Sequence, residues 1–409
     1  MADTDTEIPV RALEEDFFAD PHAHYRRWRA DGPVHRVLFP DGVHRWVVIG
    51  YAEARAALAD SRLRKNVFEI DALLAERRDA APANPQWLAL TNHMLNIDPP
   101  EHARLRTLVN KAFTARKVLD LRPRVERIAA DLLDALAGGP AREVDLLAEF
   151  AMPLPVTVIC ELLGVPLDDR ADFQRWTHGL VVVVGREAER GAAASAMIGY
   201  LRGLVAAKRA APGEDLLSAL VTAREDGDRL TDEELVSMAF LLLVAGYETT
   251  VNLIANGMYA LLRDPAQLAA LRADRSAVPA AVEEFLRFDG PVDMATARYT
   301  AEPVRIGEYE IPVGEMIYVA VTAANRDPAR FSAPDSLGIE SDSSGHLSFG
   351  HGIHYCVGAP LARLEASIAV GSLLQRFPDI ALPSGAPEPR WQPSTLIRGM
   401  FALPVLLGR

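Results

Sequence analysis

The chain has 409 residues, 49% of them hydrophobic and 24% charged, an ordinary globular composition with room to bury a cofactor. A formal net charge of −13 excludes nucleic acid as the main partner, because phosphate binding needs a basic face. The two cysteines, Cys160 and Cys356, stand in unrelated contexts, which fits free thiols in a reducing compartment rather than a disulfide.

Residues 1–9 are polar and acidic, with no basic stretch leading into an apolar run, so no secretory signal is read there. Residues 1–16 are expected to be loosely held. Strand-like text follows at 34–38 and 46–49. Asp98-Pro99-Pro100-Glu101 has the form of a helix start, with Asp98 as a cap and proline tolerated in the first turn. From His102 to Arg127 eight basic residues (Arg104, Arg106, Lys111, Arg116, Lys117, Arg122, Arg124, Arg127) stand against two acids, Asp120 and Glu126. Charge pattern alone reads equally as a solvated helical surface or a locally basic face. Helical spacing continues over 125–136 and 146–163, with Pro153 and Pro155 breaking or starting a helix inside the second segment and Gly164-Val165-Pro166 ending it. The run 180–184 is the longest that suggests a membrane and is far too short to span one, so no membrane partner and a cytoplasmic location are expected.

Thr231-Asp232-Glu233-Glu234 is a capping-box signature ahead of an apolar segment over 235–263, which Asp264-Pro265 stops. Its length and its apolar character on all sides predict a central buried helix. Another helix covers 278–288. Short strands and turns are expected over 292–323, an irregular loop over 327–348, and a final helix over 359–377. The expected fold is one mainly α domain over 1–409 with a minor β region.

Two passages carry chemistry. The first is Phe349-Gly350-His351-Gly352-Ile353-His354-Tyr355-Cys356-Val357-Gly358. Its pattern Phe-x-x-Gly-x-His-x-Cys-x-Gly resembles the haem-binding loop of the cytochrome P450 family at all five defining positions. Chance would supply such a match in roughly one chain in 10⁴ of this length, which sets coincidence aside. Glycines permit a tight turn that aims backbone amides at a buried sulfur, and Phe349 would shield that sulfur from water. Cys160, inside Val158-Ile159-Cys160-Glu161-Leu162, reads instead as a small core hydrophobe.

The second passage is Ala245-Gly246-Tyr247-Glu248-Thr249-Thr250, poor content for the middle of an apolar helix and therefore a mark of function. It resembles the family's oxygen-binding motif. That resemblance implies that Ala245 and Gly246 leave room for dioxygen, that Thr249 bonds back to a carbonyl and distorts the helix, and that Glu248 relays protons. Glu284 and Arg287, three apart, resemble the family's Glu-x-x-Arg brace. His102 and Arg106 share a helix face in text that resembles the family's Asp-Pro-Pro-Glu-His-x-x-Leu-Arg motif; with Arg298 and His354 they are implied partners of the haem propionates. One departure is that Ser336 stands where the family's third brace residue is an arginine, which puts the rigidity of that loop in question.

The resemblance implies haem b with its iron on the Cys356 thiolate, whose electron donation favours O–O cleavage. The implied activity is hydroxylation or epoxidation of a largely apolar small molecule such as a macrolide, other polyketide, terpenoid or sterol. A monomer would use O2 and electrons from a ferredoxin and its reductase. Arg104–Arg127 would form the docking face, with Lys111, Arg116 and Arg363 as members. Pocket walls are expected from 88–95, 180–184, 240–244, 292–295 and 396–397, with Asp293 the polar exception. Two other readings are a peroxide-driven peroxygenase, whose family members tend to lack the acid–threonine pair, and a non-catalytic haem-binding or carrier-docking module, whose members tend to lose the motifs retained here.

Overall fold

The computed structural model describes residues 10–408 apart from 80, 170–171, 173–174, 177–179, 181–186 and 225–226. Ten short strands are present among the described residues: β1 (Val10–Ala12), β2 (Val34–Leu38), β3 (His44–Val48), β4 (Leu63–Arg64), β5 (Glu143–Asp145), β6 (Arg298–Thr300), β7 (Val304–Ile306), β8 (Tyr309–Ile311), β9 (Met316–Val319) and β10 (Pro404–Leu406). Six form one sheet in the order β1-β2-β3-β9-β6-β4; β5/β10 and β7/β8 are separate pairs. The strand-like text at both ends of the chain therefore meets in one sheet, with Trp46 opposite Ile317 and Val48 opposite Val319. These apolar side chains share a core with Val34, Leu58 and Leu347.

The long helices are α1 (Glu101–Ala112), α2 (Arg122–Gly138), α3 (Pro153–Leu163), α4 (Glu187–Ala210), α5 (Asp232–Leu262), α6 (Val278–Asp289) and α7 (Ala359–Arg376). Each predicted helix is present. The segment 146–163 divides as its prolines dictate: a π-helical turn over Leu147–Ala151 precedes α3, and Pro153 opens α3. Gly164, in the left-handed region at φ 66°, ends it.

The capping box of α5 is complete: Thr231 accepts from the Glu234 amide, and the Glu234 carboxylate accepts from the Thr231 amide. The helix runs unbroken for 31 residues and packs against α3, α4, α6 and α7. It corrects one expectation, because its length and the mean hydropathy of 1.6 in its most apolar 18-residue window do match those of a membrane span. Its most apolar window is 72% buried within the fold, which is why it serves as the core helix here.

A second correction concerns the N-terminus. Val10–Ala12 pairs in parallel with Arg36–Leu38 of β2, and Leu13 and Phe17 are buried. Residues 10–16 are therefore held in the fold, against expectation, and residues 1–9 lie outside the described residues. Phe17 anchors the segment by edge contacts with Phe18 and Tyr25 and by stacking on Trp28.

Candidate active site

The cysteine loop lies between the irregular stretch 327–348 and α7. Gly350 and Gly352 take φ of 74° and 75°, the left-handed region where a side chain is strained. At Gly352 a Cβ would also stand 3.0 Å from Ala59 Cα and 3.1 Å from the Leu58 carbonyl. Gly358 differs: its φ is −78°, and a Cβ there would meet the Cys356 sulfur at an ordinary 3.7 Å. Its contribution is a backbone N–H directed at that sulfur. Burial pushes the Cys356 thiol up; the Gly358 amide, the Arg106 charge, the Ala359 amide and the Arg363 charge pull it down. Those donors favour the thiolate form of a residue that keeps exposed surface on the open side of its loop. Phe349 is buried and its carbonyl accepts from the Cys356 amide at 2.9 Å. Cys160 forms no disulfide and lies inside the core, as expected of a small hydrophobe.

The loop is fastened from below. Arg287 donates to both Glu284 oxygens at 2.7 Å and to the carbonyls of Asn325, Pro334 and Ser336 at 2.9–3.1 Å. Glu284 also accepts from the Gly338 amide at 2.8 Å and the Ser343 hydroxyl at 2.6 Å. The place of the missing arginine is thus filled by Ser343, seven residues beyond Ser336, and by a backbone amide. The doubt raised by Ser336 about the loop is corrected: every polar group of the brace has a partner.

Within α5, Thr249 donates to the Ala245 carbonyl at 2.9 Å and Thr250 to that of Gly246 at 3.4 Å. The expected back-bond is made, while the expected distortion does not break the helix, which stays continuous. The two small residues separate in role. Ala245 is exposed, whereas a Cβ on Gly246 would press on Ile159 Cδ1 at 2.9 Å. A glycine at 246 thus also lets α3 pass close to α5. The Glu248 carboxyl has no hydrogen-bond partner among the described residues, and burial raises its pKa to about 7.

A cationic cluster stands at one side. The His102 and His354 rings lie 4.4 Å apart, and Arg298 is buried. The His354 pKa is lowered to about 2 by burial first, then by Lys65, His102, Arg298 and Arg106, which places all five groups within electrostatic reach of one another. His102 Nε2 is buried without a partner. All four residues singled out in the sequence are here together. Lys65 is the member that sequence reasoning missed; its only signal is the third basic position in Arg62-Leu63-Arg64-Lys65.

Other expectations need correction. Asp293 lines no pocket: it is buried, accepts from the hydroxyls of Tyr25 and Thr322, and is raised to about 6 by burial. It ties the helix Pro21–Arg29 to the short helix Val321–Ala324. Leu90, Phe240 and Met294 are likewise core residues, and Leu95, Val244, Val292, Ala295 and Leu396 keep accessible surface. Residues 181–184 lie outside the described residues. Arg363 is held by Glu283 through two bonds of 2.6 and 2.8 Å and stacks over Phe349, so it is not a free docking cation. The basic stretch is also thinner than its count. Arg104 pairs with Asp228 and Glu234, Arg122 with Glu126, and Arg124 with Glu161.

The donor set fits a haem. A free thiol has amides turned toward it, and a surplus of buried cations stands ready for carboxylates. A family model for cytochrome P450 matches residues 53–403. The chain belongs to the cytochrome P450 family.

The P450 is 52% identical to cytochrome P450 monooxygenase PikC of Streptomyces venezuelae, covering 97% of this chain and 94% of that protein. It is 42% identical to mycinamicin IV hydroxylase/epoxidase of Micromonospora griseorubida over 91% of this chain and 92% of that one. Its fold matches the structure of the tirandamycin C-bound P450 monooxygenase TamI with a TM-score of 0.89 and 47% identity, covering 97% of this chain and all of that one. The protein is a P450 monooxygenase and uses haem b on a cysteine thiolate.

Proposed function

We propose that this P450 hydroxylates or epoxidises a large, mainly apolar polyketide-type molecule with O2 and electrons from a ferredoxin and its reductase, in the cytoplasm. The haem, bound through the Cys356 thiolate, supplies the reductive activation of dioxygen and the insertion of one oxygen atom. Cys356 is the iron ligand because its loop amides and Arg106 stabilise the thiolate form. His102, Arg106, Arg298 and His354 take the propionates, Phe349 shields the sulfur, Gly350 sets the loop's path, and Gly358 donates to the sulfur. Substrate class follows from the apolar walls at Leu95, Val244, Val292, Ala295 and Leu396 and from the relatives named for macrolide and tirandamycin chemistry.

One observation carries the monooxygenase reading over a peroxide-driven one. Glu248, an acid with a pKa raised to about 7, stands beside a threonine hydroxyl in an otherwise apolar helix. Cleaving dioxygen consumes two protons from outside the site, which an acid poised near neutrality can give and regain from solvent, whereas peroxide brings its own two protons. Glu248 gives the proton inward and Thr249 holds the place where it is received. Thr249→Ala is expected to keep haem and substrate binding while diverting most reducing equivalents to peroxide. Coupling is measured as product formed per reduced nicotinamide consumed; wild-type coupling in the variant would overturn the role of Thr249. Coupling should also fall as pH rises through about 7, and Glu248→Gln should remove that dependence. The raised carboxyl favours the fold below the ordinary carboxylate range, and this contribution is lost as pH rises through about 7, so Glu248→Gln should gain thermal stability at alkaline pH relative to wild type.

Electron delivery is assigned to the basic face of α1 and the turn that follows it. Lys111 and Arg116 are exposed on and after α1, whose Arg106 acts on Cys356. Charge reversal at both positions is expected to slow reduction by a ferredoxin several-fold at low ionic strength and to flatten its salt dependence, leaving reduction by dithionite unchanged. Stopped-flow reduction rates against salt test this; a wild-type slope in the double variant would reduce the stretch to a solvated surface.

A further inference from the structure

Lys65 is among the largest fully buried side chains of the protein, with 2% of its surface exposed. It follows β4, and among the described residues its ammonium makes one hydrogen bond, to the Thr296 hydroxyl at 2.7 Å. The Thr296 carbonyl accepts from Arg298 Nη1 at 3.1 Å. One residue therefore holds two cations, one by its hydroxyl and one by its backbone. Asp98, the acid that acts on both cations, offers neither a direct bond. Both Asp98 oxygens are occupied by the backbone amides of Lys65 and Asn66 at 3.0–3.1 Å, and Asp98 acts on the ammonium only through space.

The rest of the cluster deepens the imbalance. Arg106 has no hydrogen bond or ion pair among the described residues, and His102 Nε2 is orphaned. Lys65, Arg106 and Arg298, with two imidazoles, face a single carboxylate already engaged by amides. Burying charge without a partner costs several kcal/mol per ion, so such an arrangement persists where an anion completes it. A haem brings two carboxylates. A neutral hydrogen bond to a threonine hydroxyl does not balance a buried ammonium, whereas a charge-assisted bond to a carboxylate does.

We propose that Lys65 is a further haem-binding residue, positioned by Thr296 so that it and Arg298 grip the same haem carboxylate. This rests on the P450 reading of the site. It adds a contact from the β4 end of the sheet to those from α1, β6 and the cysteine loop. It also explains why Asp98 spends its oxygens on the Lys65 and Asn66 amides: that fixes the end of β4 against the start of α1, where His102 and Arg106 begin.

The test is haem retention. Ferric holoenzyme is mixed with excess apomyoglobin and haem transfer is followed in the Soret region. Lys65→Met removes the charge at nearly constant volume and should speed haem loss about tenfold or more, the loss of one charge-assisted bond. The reduced CO spectrum should keep its red-shifted band, which separates failure of this proposal from failure of the Cys356 assignment. Resonance Raman scattering from the haem carboxylate bending mode should shift in Lys65→Met and, in the same direction, in Thr296→Val. A purely structural lysine would change melting temperature without moving that mode. Lys65→Gln keeps a donor for Thr296 and carries the same test if the Met variant does not accumulate. Wild-type haem loss with an unshifted carboxylate mode, in either Lys65 variant, overturns the proposal.

Discussion

Cys356→His is expected to abolish the red-shifted Soret band of the reduced, CO-bound protein and to reduce monooxygenation to background, even where haem is still bound. The cause is the ligand's electron donation. Imidazole is neutral and cannot supply the push of a thiolate, for which the loop is built: the Gly358 and Ala359 amides and the Arg106 charge all favour the ionised sulfur. Histidine would set a larger ring against those amides and leave them without a negative acceptor. Cys160→Ala is the control, because that thiol lies in the core and should affect stability alone. A Cys356→His protein that retained the band would remove the assignment.

Arg287→Ala is expected to cost about 3–5 kcal/mol, because it strands a fully buried carboxylate at Glu284. Against a total stability of roughly 5–15 kcal/mol, that removes a large share of the fold's margin. The five hydrogen bonds from Arg287 gather α6, Asn325, Pro334 and Ser336, so the loss should loosen the stretch before the cysteine loop. Expression should give little haem-loaded protein, and what forms should melt several degrees lower. Ser343→Ala, which removes one donor from Glu284, should fall in between, at about 1–3 kcal/mol. Holoprotein yield and calorimetric melting check both. Full haem loading and an unchanged melting temperature in Arg287→Ala would show that the brace does not hold the loop.

Much of the P450 was legible in the residues because its signals are local. The capping box at Thr231 and Glu234 needs only a spacing of three, and the back-bond from Thr249 to Ala245 only a spacing of four. Glu284 and Arg287 meet on one turn of helix. The cysteine loop is a contiguous string whose glycines announce its turns. Helix periodicity likewise placed every long helix that was read, since an amphipathic or fully apolar face repeats within a few residues.

What the tertiary structure decided involves partners far apart in the chain. Ser343 completes the brace of Glu284 from 59 residues away, and no family pattern at Ser336 could announce that substitute. Asp293 reads as a polar spot in a pocket wall until Tyr25, 268 residues earlier, is found donating to it. Gly246 meets Ile159 of another helix, and Arg363 loses its free charge to Glu283. Lys65 looks like one more surface cation until the sheet folds it beneath Thr296, 231 residues on. Charge and side-chain volume are properties of the residue, but burial and pairing are properties of the neighbours, and only the folded chain chooses them.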